Sequence, residues 1–545
     1  MRRIVRFILV IVVLLIWGAT VSAEQQLAPI FEELGDHHHP ITTTSEQAQR
    51  YFDQGLILAF GFNHGEAHRS FMQATKLDPE CAMCWWGAAL VLGPNINSAM
   101  DPAKATEAWR LTEKALSLTE RVTPREKAYI RALAERYRPE AVEDRSRLDR
   151  AWAEAMGGVA NRFPEDLDAR VLYAEALMDT TPWNYWKENG SPRPVTETIL
   201  ATLESVIRED ANHPMANHLY VHAVEAQHPE KGLEEAKRLE TLVPGAGHLV
   251  HMPAHIYIRT GDYHAATRAN QRAIEADQRY LEQVDAHGVY RLAYVPHNYH
   301  FLWSTATLEG RSELAIETAR EMASIVDEER MRERPLATLQ HYWITPLYAL
   351  VRFGRWDEIL GRDEPAEDLV YPRGVWHYAR GMAFARKGRF GAAESELAAL
   401  RDLLDDPRLE WVTVWDINKS RHILAIAEAA LSGEIEAAKG NFEDAIEKLD
   451  RAVELEDDLN YDEPPTWHYP TRHSLGAVLL EAGEAERAEA VYREDLETFP
   501  DNGWALFGLL ESLRRQGETE AAAKTDQKLR EAWRHADVVL TSSRF

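Results

Sequence analysis

Residues 438–445 read AKGNFEDA, residues 386–393 read RKGRFGAA and residues 259–266 read RTGDYHAA. In each, a glycine follows a run with helical periodicity. An aromatic residue stands two places after it and an alanine five places after it. A glycine just past the last periodic residue ends a helix, because it adopts the left-handed conformation that closes the final turn. The small alanine then lets a second helix lie close against the first. Similar breaks recur as FNHGEA (62–67), LEGRSELA (308–315), VRFGRWDE (351–358), LEAGEAERA (480–488) and RRQGETEAA (514–522). Between them lie candidate helices of roughly 12–18 residues, and strand-like alternation is scarce. The pattern predicts an all-α chain of helix hairpins. Each hairpin carries apolar stripes on two sides and cannot bury itself alone. Stacked neighbours bury those stripes and form a superhelix.

At 545 residues the chain is too long for one compact core, but a solenoid grows by adding units. A hydrophobic share of 45% excludes global disorder. A formal net charge of −27, with no Lys/Arg-rich cluster to offset it, excludes nonspecific binding to nucleic acid or anionic lipid. Residues 1–23 have the make-up of a signal peptide: MRRIVR is basic, FILVIVVLLIW is apolar, and Val21-Ser22-Ala23 is a small-residue cleavage site. The apolar run is shorter than the roughly 18–20 residues that span a bilayer. The expected product is exported, periplasmic or secreted, with no membrane contact beyond that segment. Residues 24–44 read as an extended lead-in, 45–535 as the solenoid and 536–545 as a tail. Inserts rich in Pro and aromatics interrupt the solenoid near 180–198 and 458–470 and read as ordered loops.

The breaks, together with acidic-Pro helix ends such as KLDPE and ETFPDN, resemble the tetratricopeptide repeat (TPR), a helix–turn–helix unit of about 34 residues. The resemblance covers most of 45–535 in roughly a dozen units and implies a right-handed superhelical solenoid. The phrases HHPITT, FNHGEA, DPECAMCWWGAAL, LGPNIN, GHLVHMPAHIY, PPTWHYPTRHSLGA and PDNGWALFGL are similar to those of a group of exported bacterial TPR proteins. That likeness implies the fold and carries no activity with it.

Half of the 22 histidines lie between His213 and His300. His218 and His222 are four apart with Glu225 three further on, His251 and His255 are four apart, and His297 and His300 are three apart. Such spacings put both imidazoles on one helix face. The TPR resemblance implies that positions two, five, nine and twelve of each first helix face a concave groove. Counted from Gly261, His248, His251 and His255 take the second, fifth and ninth positions. Counted from Gly310, His297 and His300 take the second and fifth. His218, His222 and Glu225 fall at the fifth, ninth and twelfth once the apolar residues around them are turned to the packing. Imidazole is the commonest ligand for Zn, Cu, Fe and Ni. The eight side chains His218, His222, Glu225, His248, His251, His255, His297 and His300 therefore form a candidate mono- or dinuclear site for copper, zinc or iron. No HExxH helix, Gly-rich phosphate loop or Ser/His/Asp arrangement accompanies them.

Other groove candidates for a partner are Arg259, His341, Trp467, Tyr469, Arg472 and His473. Cys81 and Cys84 are a disulfide or a redox pair, and Trp85 stands where c-type haem attachment needs His. Two functions are compatible with this pattern. One is an exported superhelix that holds a peptide or protein in its groove. The other is a metalloenzyme, an oxidoreductase or hydrolase, built on the His/Glu set.

Overall fold

In a computed structural model, residues 27–187, 189–286 and 288–545 are described. Residues 1–23, expected from the sequence to be a signal peptide, lie outside them. The chain is an all-α superhelical solenoid of helix–turn–helix repeats. Among the described residues the helices pair into twelve consecutive hairpins, from Glu46–Phe60 with His64–Leu77 to Gly503–Gln516 with Thr519–Ala532. The turn glycines act as the sequence predicts. Gly440 and Gly261 both take φ +84°, a conformation that costs any residue with a side chain. A Cβ on Gly261 would also sit 2.7 Å from the carbonyl oxygen of Pro500. The paired alanines Ala266, Ala393 and Ala445 are fully buried where the two helices meet.

The superhelix turns tightly. Tyr263 Oη, in the sixth hairpin, donates to Pro500 O at 2.8 Å, and Trp504 Nε1 donates to Thr307 O at 2.9 Å. On the other side, Tyr280 Oη donates to Glu66 Oε2 of the first hairpin at 3.2 Å. The fifth to seventh hairpins are thus enclosed by both ends of the chain. The apolar core follows the same path in overlapping blocks, one reaching from Phe31 to Leu369 and the next from Trp303 to Trp504. The only strands among the described residues are Thr413–Val414 and Asn418–Lys419, an antiparallel pair whose turn carries Trp415. No described helix is long and apolar enough to cross a membrane.

Candidate metal centre

Three neighbouring inner helices carry the histidines. His218 and His222 lie on Pro214–Val224, with Glu225 at its C-cap. His213 starts that helix by accepting from Ala216 N, and Pro214 fills its first position. His248 and His251 lie on Gly247–His251, and His255 lies on Pro253–Thr260. Pro253 divides these two segments, yet Met252 between them keeps α-helical angles. The three imidazoles therefore stay on one side. His297 and His300 lie on Val295–Leu308, which follows a π-helical turn at Tyr290–Tyr294.

Seven of the eight predicted side chains converge. His218, His222 and His248 form one set and His251, His255 and His297 another; within each, the ligand atoms lie within 4.8 Å of one another. Glu225 stands between the sets. Its Oε1 is 3.2 Å from His222 Nδ1, and its Oε2 is 2.6 Å from His255 Nδ1, the latter out of line for a good hydrogen bond. All seven are buried.

Hydrogen bonding fixes which nitrogen faces which way. His218 Nδ1 donates to Phe60 O at 2.7 Å, which leaves its buried Nε2 without a partner. Asn270 Nδ2 donates to Ala266 O, so Asn270 Oδ1 is the acceptor for His251 Nδ1 at 2.7 Å. The lone pair of His251 is thereby placed on Nε2, which lies 2.9 Å from His255 Nε2. Glu225 plays the same part for Nδ1 of His222 and His255. A carbonyl, an amide and a carboxylate thus hold the remote nitrogens of His218, His251 and His222 and turn the near ones inward, while His255 Nδ1 has only the close carboxylate of Glu225. Metal-binding histidines are held in this way. Nε2 of His222, both nitrogens of His248 and Nδ1 of His297 are likewise buried with no partner.

Electrostatics agree. Burial, then the charge of neighbouring imidazoles, holds His218, His248, His251 and His297 well below the ordinary histidine range, so they are neutral and carry lone pairs. Burial alone would raise Glu225, but His255 and His222 together pull it down to about 2.

A cavity of about 130 Å³ opens beside the imidazoles of His222, His248, His255 and His297. Both inserts reach it: Trp183 comes from the first, and Tyr461, Asp462 and Glu463 from the second. Burial raises the carboxyl groups of Asp462 and Glu463 to about 7 and about 8. Neither these acids nor Asn270, Trp415 or the Phe60 carbonyl emerged from helical spacing. The one advance signal was the aromatic and proline content of the inserts.

The remaining candidates go elsewhere. His300 stacks on Trp303 at 5.2 Å and faces His341 at 5.1 Å, away from the cluster. His341 Nδ1 is bonded to Tyr371 Oη at 2.7 Å. The tight superhelix does bring His473 inward, but between Arg352 Nη2 at 2.9 Å and Asp495 Oδ2 at 3.0 Å. His341, His473, Trp467 and Tyr469 are thus interior and are not displayed to a partner. Arg472 is paired with both carboxylate oxygens of Asp457, at 2.7 and 2.8 Å. Arg259 stays near the site, its Nε 3.7 Å from Glu463 Oε1. Cys81 and Cys84 form a buried disulfide.

The His37-His38-His39 tract docks the lead-in onto the solenoid. Asp168 Oδ1 contacts Nε2 of His37 at 3.0 Å and of His213 at 3.1 Å, while Oδ2 contacts His39 Nδ1 at 2.6 Å. His213 Nδ1 accepts from Ala216 N at 3.3 Å, so its proton sits on Nε2 and points at Asp168. That arrangement suits a hydrogen-bonded latch better than a ligand set.

Fold and site together define a helical-repeat solenoid with a buried imidazole cluster in its interior. No family model matches the chain, and no curated protein matches it in sequence. Among solved structures, the human IFIT1 dimer with m7Gppp-AAAA aligns at 11% identity, covering 91% of this chain and 92% of that one, with a TM-score of 0.30. The APC/C hetero-tetramer Cut9–Hcn1 aligns at 11% identity over 91% of this chain and 76% of that one, also at 0.30. The human IFIT1 dimer with PPP-AAAA gives 12% identity, 90% and 91% coverage, and 0.31.

Proposed function

We propose that this protein is a metalloprotein whose superhelix encloses a pair of three-histidine centres. His218, His222 and His248 would hold one ion, and His251, His255 and His297 the other. Glu225 orients both sets from behind. The supporting observation is that six imidazoles converge in two buried sets, with the remote nitrogens of His218, His222 and His251 anchored and Nε2 of His218 and of His222 buried without a partner. Left without a ligand, each such nitrogen costs about 1–3 kcal/mol. All-imidazole sets suit copper or zinc, and a bound ion of this kind supplies redox or Lewis-acid chemistry to a molecule in the adjoining cavity. The chain's own contribution is to keep His218, His248, His251 and His297 neutral and to screen the centre from bulk water with Trp183, Trp415 and the Tyr461–Glu463 segment. The same burial disfavours a peptide lying along this part of the groove. The basic-then-apolar character of residues 1–23 supports work outside the cytoplasm.

The test is elemental analysis of untagged protein grown with copper and zinc supplied. About two ions per chain are expected, falling by half or more in His222→Ala and in His251→Ala. Trace metal that neither substitution changes would remove the centre and leave a partner-binding solenoid.

A further inference from the structure

The cavity beside the imidazoles has walls that select a ligand. Its volume is about 130 Å³, near that of an apolar protein cavity of about 150 Å³ that takes up benzene. Two of its walls are indole rings. Trp183 stands edge-on to His222 at 5.1 Å and 85°, and Trp415 stands edge-on to His297 at 5.7 Å and 89°. Tyr294 completes the aromatic surround, 6.3 Å from Trp415. Both tryptophans sit in the left-handed backbone region, Trp183 at φ +61° and Trp415 at φ +53°. Bulky residues rarely adopt that conformation, and where it persists it collects at ligand-holding sites. Two unrelated loops thus accept the same cost, and both bring an indole to the same cavity.

The chemistry of the far end is different. Glu463 is 6% exposed, lines the cavity, and has neither carboxyl oxygen in a hydrogen bond. The buried hydroxyl of Tyr461 stands beside it, close enough to act on the carboxyl but not in hydrogen-bond geometry with it. Arg259 lies 3.7 Å from Glu463 Oε1 and stacks over Tyr461. Arg259 and Tyr461 thus approach the carboxyl without closing a hydrogen bond on it, which leaves its oxygens able to accept from a donor brought by a ligand.

We propose that the cavity binds a small monocyclic aromatic molecule bearing a hydroxyl or amino group. The ring lies between Trp183 and Trp415, the donor group meets Glu463, and the opposite edge faces the imidazoles of His222 and His297. Assigning that edge a role in metal chemistry rests on the metal-centre reading above.

The experiment titrates phenol, toluene and benzoate into the full-length protein by calorimetry and tryptophan fluorescence. Metal is assayed on the same samples. Phenol is expected to saturate, with toluene about tenfold weaker for want of the hydrogen bond and benzoate weaker still. Glu463→Gln should shrink the preference for phenol over toluene. Trp415→Ala should abolish binding, whereas Trp415→Phe, which keeps a ring in place, should retain it. Metal-loaded protein that fails to saturate with phenol, or binds benzoate best, overturns this proposal and leaves the metal reading standing. Protein that binds phenol with the expected preference yet holds no metal supports the ligand assignment and overturns the metal reading.

Discussion

Nε2 of His251 lies 2.9 Å from Nε2 of His255, while Nδ1 of His251 is anchored on Asn270 Oδ1 at 2.7 Å. Two nitrogens bound at about 2.0–2.1 Å would be about 2.9 Å apart at the right angles of a tetragonal copper site and about 3.3 Å apart at a tetrahedral zinc site. The spacing serves an N–H···N hydrogen bond between the two rings and equally matches two nitrogens sharing one ion. Because Asn270 sets the tautomer of His251, Asn270→Ala should weaken metal binding about 10–100-fold without removing a ligand. Asn270→Asp keeps an acceptor and should restore most of the affinity. Competition against a chromophoric chelator measures both, and an unchanged affinity in Asn270→Ala would detach Asn270 from the site.

His297 and His300 are one turn apart on the same helix but face different surroundings. His297 meets His251 at 4.9 Å, whereas His300 stacks on Trp303. His297→Ala should therefore lower the metal content, and His300→Ala should leave it unchanged while lowering Tm through lost packing. Equal loss of metal in both variants would mean that the centre reaches to His341.

Much of the fold was legible because its signal repeats. Gly261, Gly388 and Gly440 each mark a turn, and the buried Ala266, Ala393 and Ala445 mark the helix contact that follows. The histidine face was legible because spacing on a helix fixes direction. What spacing does not encode is curvature. His473 was assigned to the groove, yet the tight superhelix packs it between Arg352 and Asp495. Trp415 and Glu463 lie on loops far away in sequence, and only the closing of the superhelix brings them to the histidines. Glu225, expected as an oxygen ligand, lies with His222 and His255 in a third buried group whose ligand atoms fall within 4.8 Å of one another, and its carboxylate meets their Nδ1 atoms.

Removing metal should cost stability. A ligand that binds only the folded chain at a thousandfold above its Kd adds about 4 kcal/mol. Dialysis against a strong chelator should lower the Tm of the wild type, and re-addition of copper or zinc should restore it. His218→Ala, His222→Ala and His248→Ala should each show a smaller shift.

Asp277 gives a pH dependence of determinate sign. Burial raises its carboxyl from 3.8 to about 7, although Tyr290 Oη and Asn298 Nδ2 each donate to it at 2.7 Å. An acid that holds its proton more tightly in the folded chain stabilises the fold fully below about pH 4, and that contribution is lost as pH rises through about 7. The loss is on the order of 2–4 kcal/mol. Asp277→Asn should flatten the profile over this window, as urea unfolding at several pH values would measure. Glu225 acts in the opposite sense: its carboxyl is held at about 2, so its contribution is present above about pH 4.5 and fades as pH falls towards 2. An Asp277→Asn variant with the wild-type slope between pH 4 and 7 would refute the assignment.

Asp168 carries the docking of the lead-in. Its two oxygens meet three imidazoles, from His37, His39 and His213, and their pull takes its carboxyl well below the ordinary range even though burial opposes it. Removing the acceptor leaves buried imidazole N–H groups unpaired, at a cost of about 1–3 kcal/mol each. In Asp168→Ala that cost should fall on the His37–His39 part of the lead-in, while Thr42 on Glu126 and Thr43 on Asp78 still hold its C-terminal end. Limited proteolysis should then cut before residue 45 while the hairpins stay intact, and hydrogen exchange should rise over the same segment. Asp168→Asn keeps one acceptor oxygen and should give an intermediate rate. Because His213 Nδ1 is already engaged by Ala216 N, the latch runs on protons, and chelators should not change the cleavage rate. Cleavage that a chelator accelerates in the wild type would convert this latch into a second metal site.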